Sequence, residues 1–213
     1  MKKYIILLLV ITPLLLHSQT FKSYGLYGGY SFDGKGWETP DTIGSYYHNK
    51  VFIKSINLGA YGEFLSKKHF STMVDIGLKF RNYHFEYDTP PNPDDARLID
   101  NSMYYITASV YEKIKMDFDR WSVYLYGGLK TGIRFNKSID KDIQDIFETS
   151  KEFNAGKTAG IGFRKRIARF LSISFDIYYD RDFTKLYESN SGFIRNSEIG
   201  FKIGLGPFNP ATK

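Results

Sequence analysis

The stretch Trp121-Ser122-Val123-Tyr124-Leu125-Tyr126-Gly127-Gly128-Leu129-Lys130-Thr131-Gly132-Ile133-Arg134-Phe135 alternates along its length. Trp121, Val123, Leu125, Leu129, Ile133 and Phe135 share one face; Ser122, Tyr124, Tyr126, Gly128, Lys130, Gly132 and Arg134 share the other. Side chains along a strand point to opposite sides in turn, so this is a strand with one apolar and one polar face. The period recurs. Phe70, Thr72, Val74, Ile76, Leu78 and Phe80 oppose Ser71, Met73, Asp75, Gly77, Lys79 and Arg81. Leu171, Ile173, Phe175, Ile177 and Tyr179 oppose Ser172, Ser174, Asp176, Tyr178 and Asp180. Ile199, Phe201, Ile203 and Leu205 oppose Glu198, Gly200, Lys202 and Gly204.

Working outward, alternation and β-branched or aromatic enrichment predict eight strands, near 21–33, 50–64, 69–86, 102–114, 120–135, 153–165, 168–180 and 193–206. Each reaches the roughly 9–11 residues that a tilted membrane-crossing strand needs. Ser66–Lys68, Lys115–Asp119 and Arg166–Ile167 are tight links suited to hairpins. Between them run long polar connections at 34–49, 87–101, 136–152 and 181–192; Thr89-Pro90-Pro91-Asn92-Pro93 cannot pair as strand. A meander with every second connection long is the pattern of an outer-membrane barrel, with short periplasmic turns and long external loops. Charge follows the same division. Windows 66–69, 115–120 and 164–169 together carry +6, whereas 34–49, 88–101, 136–152 and 181–193 together carry −6.

Alternation alone does not say which face points inward. A secreted lipocalin-like carrier also has eight up-and-down strands, with its apolar face inside. The glycines discriminate: Gly25, Gly29, Gly59, Gly77, Gly128, Gly132, Gly160, Gly162, Gly200 and Gly204 all lie on the polar face. On a solvated surface they would only weaken the strands. Inside a narrow barrel they make room for large neighbours. Those neighbours are Tyr27, Tyr61, Tyr111, Tyr124, Tyr126 and Tyr178, together with Lys113 and a charge network of Asp75, Lys79, Lys130, Arg134, Asp176, Glu198 and Lys202. The expectation is an all-β, eight-stranded antiparallel up-and-down transmembrane barrel with a plugged, hydrogen-bonded lumen. Outward aromatics near strand ends, Phe52, Phe64, Tyr104, Trp121 and Phe135, fit interfacial girdles.

Composition fits this inversion. The chain has 213 residues, 17 % of them aromatic, no cysteine and a formal charge of +6; its mean hydropathy is −0.34. One barrel suits that length, and a disulfide framework or a thiolate zinc site is excluded. Met1-Lys2-Lys3, the apolar run Tyr4–Leu16 and the small Ser18 read as a signal peptide over residues 1–18. The barrel domain then occupies 19–213, with a charge of +4 once Lys2 and Lys3 are removed. No cysteine follows the apolar run, so no lipoprotein anchor is expected. One helix is expected: Ile139, Ile143, Ile146 and Phe147 recur at helical spacing after Ser138, as a lid on the barrel mouth.

These residues resemble the small outer-membrane barrels of the PorT-like and OmpA-barrel-like group. The most specific segment is Glu198-Ile199-Gly200-Phe201-Lys202-Ile203-Gly204-Leu205. It is similar to the terminal-strand signal that such proteins present to the barrel-assembly machinery. The resemblance implies Glu198, Gly200, Ile203 and Leu205 as the recognised positions, and an accessory role in protein secretion. The tail after Gly206, with Pro207 and Pro210, reads as a periplasmic stub.

Sites of chemistry are sparse. His69-Phe70-Ser71 resembles the His-x-Ser pair of outer-membrane lipid A deacylases, yet it lies at the tight-turn end and is read as a turn histidine and a small lumen serine. His48 and His84 are too scattered for a metal site. The trios Asp94, Asp95, Asp100 and Asp140, Asp142, Asp145 lack calcium-loop spacing and are read as solvated acids. Gly34-Lys35-Gly36 is a turn. Arg164-Lys165-Arg166 with Arg169 forms a basic cluster on the turn rim, nearer to lipid headgroups than to nucleic acid. The expectation is a non-enzymatic monomer without cofactor or bound metal. Its partners are outer-membrane lipid, the assembly machinery and a protein at the external loops. An outer-membrane lipid-modifying hydrolase, a lipocalin-like carrier and a small-solute channel are the alternatives. N-terminal sequencing of protein recovered from membranes is expected to start at Gln19; a start at Met1 would overturn the signal-peptide reading.

Overall fold

The structure, a computed structural model, describes residues 23–33, 52–64, 69–87, 97–138, 151–185, 187–189, 192–194 and 196–207. The expected leader at 1–18, the helix at 139–147, the proline run at 89–95, His48 and the Ser66–Lys68 link lie outside the described residues. So do Gly34-Lys35-Gly36, Asp94, Asp95 and the trio Asp140, Asp142, Asp145.

Among the described residues ten strands follow one another: β1 (Ser23–Asp33), β2 (Phe52–Phe64), β3 (Phe70–Tyr87), β4 (Arg97–Asp117), β5 (Trp121–Ser138), β6 (Phe153–Ala168), β7 (Leu171–Asp182), β8 (Tyr187–Ser189), β9 (Gly192–Ile194) and β10 (Ser197–Gly206). Eight of them close into a barrel in the order β1-β10-β7-β6-β5-β4-β3-β2, while β8 and β9 form a separate two-stranded ribbon. Every neighbouring pair is antiparallel. Closure runs through β1 and β10, from Leu26 opposite Leu205 to Asp33 opposite Glu198.

Both chain-terminal strand ends and the tight turns share one end of the barrel; the long connections share the other. At the tight end the strands overrun their expected turns. β4 continues through Lys115 to Asp117, and the Phe118 N–H closes the turn by donating to the Trp121 carbonyl at 2.8 Å. β6 passes Arg166–Ile167 through an irregularity between Arg166 and Ala168, so the turn falls at Arg169–Phe170. At the long end, Arg97–Asn101 belongs to β4 and pairs with β3 as far as Tyr87. Phe193 and Ile194, expected to begin the last barrel strand, pair instead, with Gly192, to Tyr187–Ser189. The last barrel strand starts at Ser197, just after Asn196 has accepted a hydrogen bond from the Asp182 N–H at 2.9 Å. In β4 and β6 a paired neighbour extends the strand beyond the stretch where its own alternation is clear.

Burial is inverted relative to a water-soluble protein. Among the described residues no Leu, Ile, Val or Phe is buried. The buried apolar set is Met103 with Tyr61, Tyr105, Tyr111, Tyr124, Tyr126 and Tyr178. The exterior carries Leu26, Leu58, Ile76, Ile106, Leu125, Leu129, Ile161, Ile177, Ile203 and Leu205, all exposed. This excludes the lipocalin-like arrangement, in which those residues would point inward. Phe135 and Trp121 face out near opposite ends of β5. The side chain of Phe52 lies outside the described residues. One carboxylate interrupts the apolar wall: Glu112, exposed between Val110 and Ile114 on β4, accepts a hydrogen bond from Thr72 at 2.9 Å.

Inside, tyrosine and glycine sit directly across from each other on neighbouring strands: Tyr27 with Gly59, Tyr61 with Gly25, Tyr124 with Gly162, Tyr126 with Gly160, and Tyr178 with Gly200. A Cβ on Gly59 would lie 2.6 Å from the Tyr27 hydroxyl, and one on Gly200 would lie 2.5 Å from Tyr178 Cζ. At Gly162 it would overlap the Tyr124 ring and Asp176. Each ring therefore lies over the bare backbone of its partner. Gly162→Val is expected to destabilise the barrel by about 1–3 kcal/mol through overpacking. Adding Tyr124→Ala should recover part of that loss, read from urea midpoints in detergent micelles; a neutral Gly162→Val would contradict the packing.

Candidate functional site

The inward face of the strands brings charged groups together in three tiers. Nearest the long connections, β3 supplies Lys79 and Arg81, β5 supplies Lys130, β7 supplies Asp180 and Asp182, and β10 supplies Glu198. Lys79 lies 2.6 Å from Glu198 and 3.6 Å from Asp180. Arg81 lies 2.5 Å from Glu198 and 3.7 Å from Asp182. Lys130 sits 3.0 Å from both Asp180 and Asp182. Three cations thus face three carboxylates, and Ser31 adds a hydrogen bond to Glu198 at 2.7 Å. Asn196 donates to Asp182 at 3.1 Å.

The middle tier is built from tyrosines. Asp75 accepts from the Tyr111 hydroxyl at 2.7 Å and meets Lys202 at 3.3 Å. The Lys202 ammonium stands 4.9 Å from the ring centres of both Tyr27 and Tyr178, a cation–π cage on top of its ion pair. Asn57 donates to the Tyr178 hydroxyl at 2.8 Å, and Tyr124 hydrogen-bonds Asp176. Tyr111 packs edge-on against Tyr126, with ring centres 5.4 Å apart.

At the tight-turn end a single carboxylate serves three cations. Glu63, 2 % exposed, lies 3.2 Å from Lys113, 3.3 Å from Lys115 and 3.4 Å from Arg164. Arg164 also donates to Ser23 at 3.3 Å, and Lys113 lies 4.1 Å from the centre of the Tyr124 ring. Among the described residues, cavities of about 20 and 30 Å³ lie between these side chains. Both are lined by tyrosine rings together with charged groups such as Asp75 and Lys202, and each has room for about one or two waters.

Of the residues singled out from sequence, the structure brings Lys79, Lys130 and Glu198 into the upper tier and Asp75, Asp176 and Lys202 into the middle one. Arg134 reaches the Met103 thioether at 3.9 Å. On β10, Glu198 and Gly200 face the lumen and Ile203 and Leu205 face outward. Sequence reasoning left Arg81, Asp180, Asp182, Glu63 and Lys115 out of the network and put Arg164 on the rim. Their signal was parity: Glu63 continues the Gly59–Tyr61 face, Arg164 the Gly160–Gly162 face, and Asp182 the Tyr178–Asp180 face. His69 is exposed, with Nδ1 3.4 Å from the Lys115 carbonyl, and Ser71 is buried inside the wall. Among the described residues no cluster of three or more potential metal ligands occurs.

No family's sequence model matches the chain, and no curated protein matches it in sequence. Solved structures do. The outer membrane protein OprG from Pseudomonas aeruginosa aligns over 90 % of this chain and 98 % of its own, at 9 % identity and a TM-score of 0.56. Neisserial surface protein A aligns over 87 % and 96 %, at 13 % identity and 0.45. Outer membrane protein W of E. coli aligns over 90 % and 100 %, at 12 % identity and 0.42. This chain has the fold of the small outer-membrane β-barrels. The likeness to OprG is one of architecture and carries no activity across.

Removing Glu198 leaves Lys79 and Arg81 short of their shared counter-charge. Glu198→Gln is expected to cost about 3–5 kcal/mol. Combining Glu198→Leu with Arg81→Leu should cost less than the sum of the single changes, read from unfolding midpoints in a double-mutant cycle. Additive effects would show that the tier is not a coupled unit.

Proposed function

We propose that this protein resides in the outer membrane as a single barrel with a filled lumen, and acts through the surface formed at its long-connection end. The observation that supports this reading is the inverted burial: a wall of exposed Leu, Ile and Phe around an interior of tyrosine and ion pairs. Such a wall in water would be one continuous apolar patch, whereas in hydrocarbon it is the solvated surface. An interior crossed by Lys79–Glu198, Lys202–Asp75 and Lys113–Glu63 has its groups paired with one another. That arrangement suits a rigid support and leaves little room for solute flow.

The protein is accordingly a non-enzymatic interaction module. The long connections offer the contact surface to a protein partner. The resemblance of its terminal strand to PorT-like barrels adds an accessory role in protein secretion, and assigns Glu198, Gly200, Ile203 and Leu205 to recognition by the assembly machinery.

Extraction from membranes should require detergent, and the folded protein should migrate faster than its boiled form on a gel. Planar bilayers containing it should show no steady conductance above background. Solubility in plain buffer would overturn the membrane assignment, and discrete channel openings would overturn the filled lumen.

A further inference from the structure

The outer wall carries one group that hydrocarbon does not solvate. Glu112 is the only charged residue on the outward face of β4 between Tyr104 and Met116, a stretch it shares with Ile106, Ala108, Val110 and Ile114. Towards the tight turns Ile114 and Met116 still separate it from the chain reversal, and Phe70 stands exposed opposite Ile114. The carboxylate therefore lies within the apolar band, above its tight-turn edge. An ionisable side chain at such a place is costly unless another group pairs with it. Thr72 donates to Oε1 at 2.9 Å, and Oε2 accepts from none of the described residues.

Beside it the wall is hollow. Thr72 on β3, Glu112 on β4, Gly127 on β5 and Ala159 on β6 pair in one row across four strands. The outward row nearer the long connections holds Val110 and Leu129, and the one nearer the tight turns holds Ile114, Leu125 and Ile161. Two apolar ridges thus flank a shallow trough with the carboxylate in it. Gly127 differs from the glycines of the lumen. A Cβ on it would meet nothing nearer than the Thr158 carbonyl at 3.8 Å, whereas one on adjacent Gly128 would overlap the Val110 carbonyl. Packing within this chain therefore accounts for the bare backbone at Gly128 and leaves that at Gly127 open to the outside.

We infer that a second copy of this chain docks on this trough, with the two Glu112 carboxyl groups hydrogen-bonding to each other across a twofold axis along the membrane normal. An axis in that direction keeps both barrels upright, so a residue beside it meets its own copy at the same depth. A carboxyl group with its proton both donates and accepts, and two of them sharing a proton satisfy each other where water is absent. The second copy supplies the missing group at the required depth by symmetry alone. The hollow at Gly127 and Ala159 lets the facing ridge come close, as small residues do between membrane helices. The inference rests on the membrane placement proposed above and sets two such barrels side by side.

The chain contains no cysteine, so a single introduced thiol reports on one side of the wall. The test uses the full mature chain folded in neutral detergent, with gel mobility before and after boiling as the check on the barrel itself. A short bismaleimide should join two copies of Ile114→Cys and leave Ile203→Cys, on β10 at the opposite side of the barrel, uncoupled. Sedimentation should show the wild type as a dimer, with association weakened about tenfold in Glu112→Leu and in Gly127→Leu while the mobility shift is kept. Glu112→Gln, whose amide both donates and accepts, should keep the dimer. A wild type that sediments as a monomer, or equal coupling through both thiols, would overturn the inference and leave the barrel reading intact. So would a monomer that retains phospholipid through Glu112, which would assign the carboxylate to a lipid headgroup. A wild type lacking the mobility shift would instead remove the membrane placement on which the inference rests.

Discussion

The seam between β1 and β10 is the constraint on which the rest of the molecule depends. In hydrocarbon no water is available to a free N–H or C=O, so a sheet can cross a membrane only if its two edges meet. Pairing from Leu26–Leu205 to Asp33–Glu198 completes that circuit. Once eight strands are closed, the interior is narrow and its volume is fixed. Every inward side chain must then fit against those of the other strands. Glycine opposite tyrosine, and carboxylate opposite cation, are the consequences.

The tiers differ in balance. The upper one matches its three cations with three carboxylates, whereas at the tight-turn end Lys113, Lys115 and Arg164 share Glu63, with Asp117 3.8 Å from Lys115 at the rim. Cation–π contacts with Tyr124 and Tyr61 take part of the load there. Buried ion pairs give little net stability because desolvation offsets their attraction, but an unmatched register leaves charges stranded. The network therefore penalises slipped pairings. A one-residue slip of β10 would turn Glu198 and Lys202 towards lipid.

How legible this was from sequence depends on the kind of feature. The strands and the polarity of their faces could be read because period two and the glycine positions carry both kinds of information locally. The ends could not. Lys115 and Arg166 look like turn residues in isolation and are strand residues because Tyr124 on β5 and Ser172 on β7 pair with them. The ion pairs were partly legible, since parity shows which groups enter the lumen. Which of them meet depends on the stagger between strands, and that is a property of the closed barrel. Glu63 and Lys115 are far apart in sequence, and no local pattern joins them. The ribbon of Tyr187–Ser189 with Gly192–Ile194 was read as part of a loop and of the final strand because three-residue strands carry too few alternations to recognise.

The tyrosine–glycine partnership also bears on how this sequence can drift. A ring lying on its neighbour's bare backbone ties two distant positions to one shared volume, so neither can change size freely while the other stays. Tyr124 and Gly162, or Tyr178 and Gly200, behave as single hereditary units written in two places. Variation within this lineage should then come as coordinated exchanges of large and small between adjoining strands. Exterior positions such as Leu26 or Leu205, which face only fluid lipid, are free to substitute one by one.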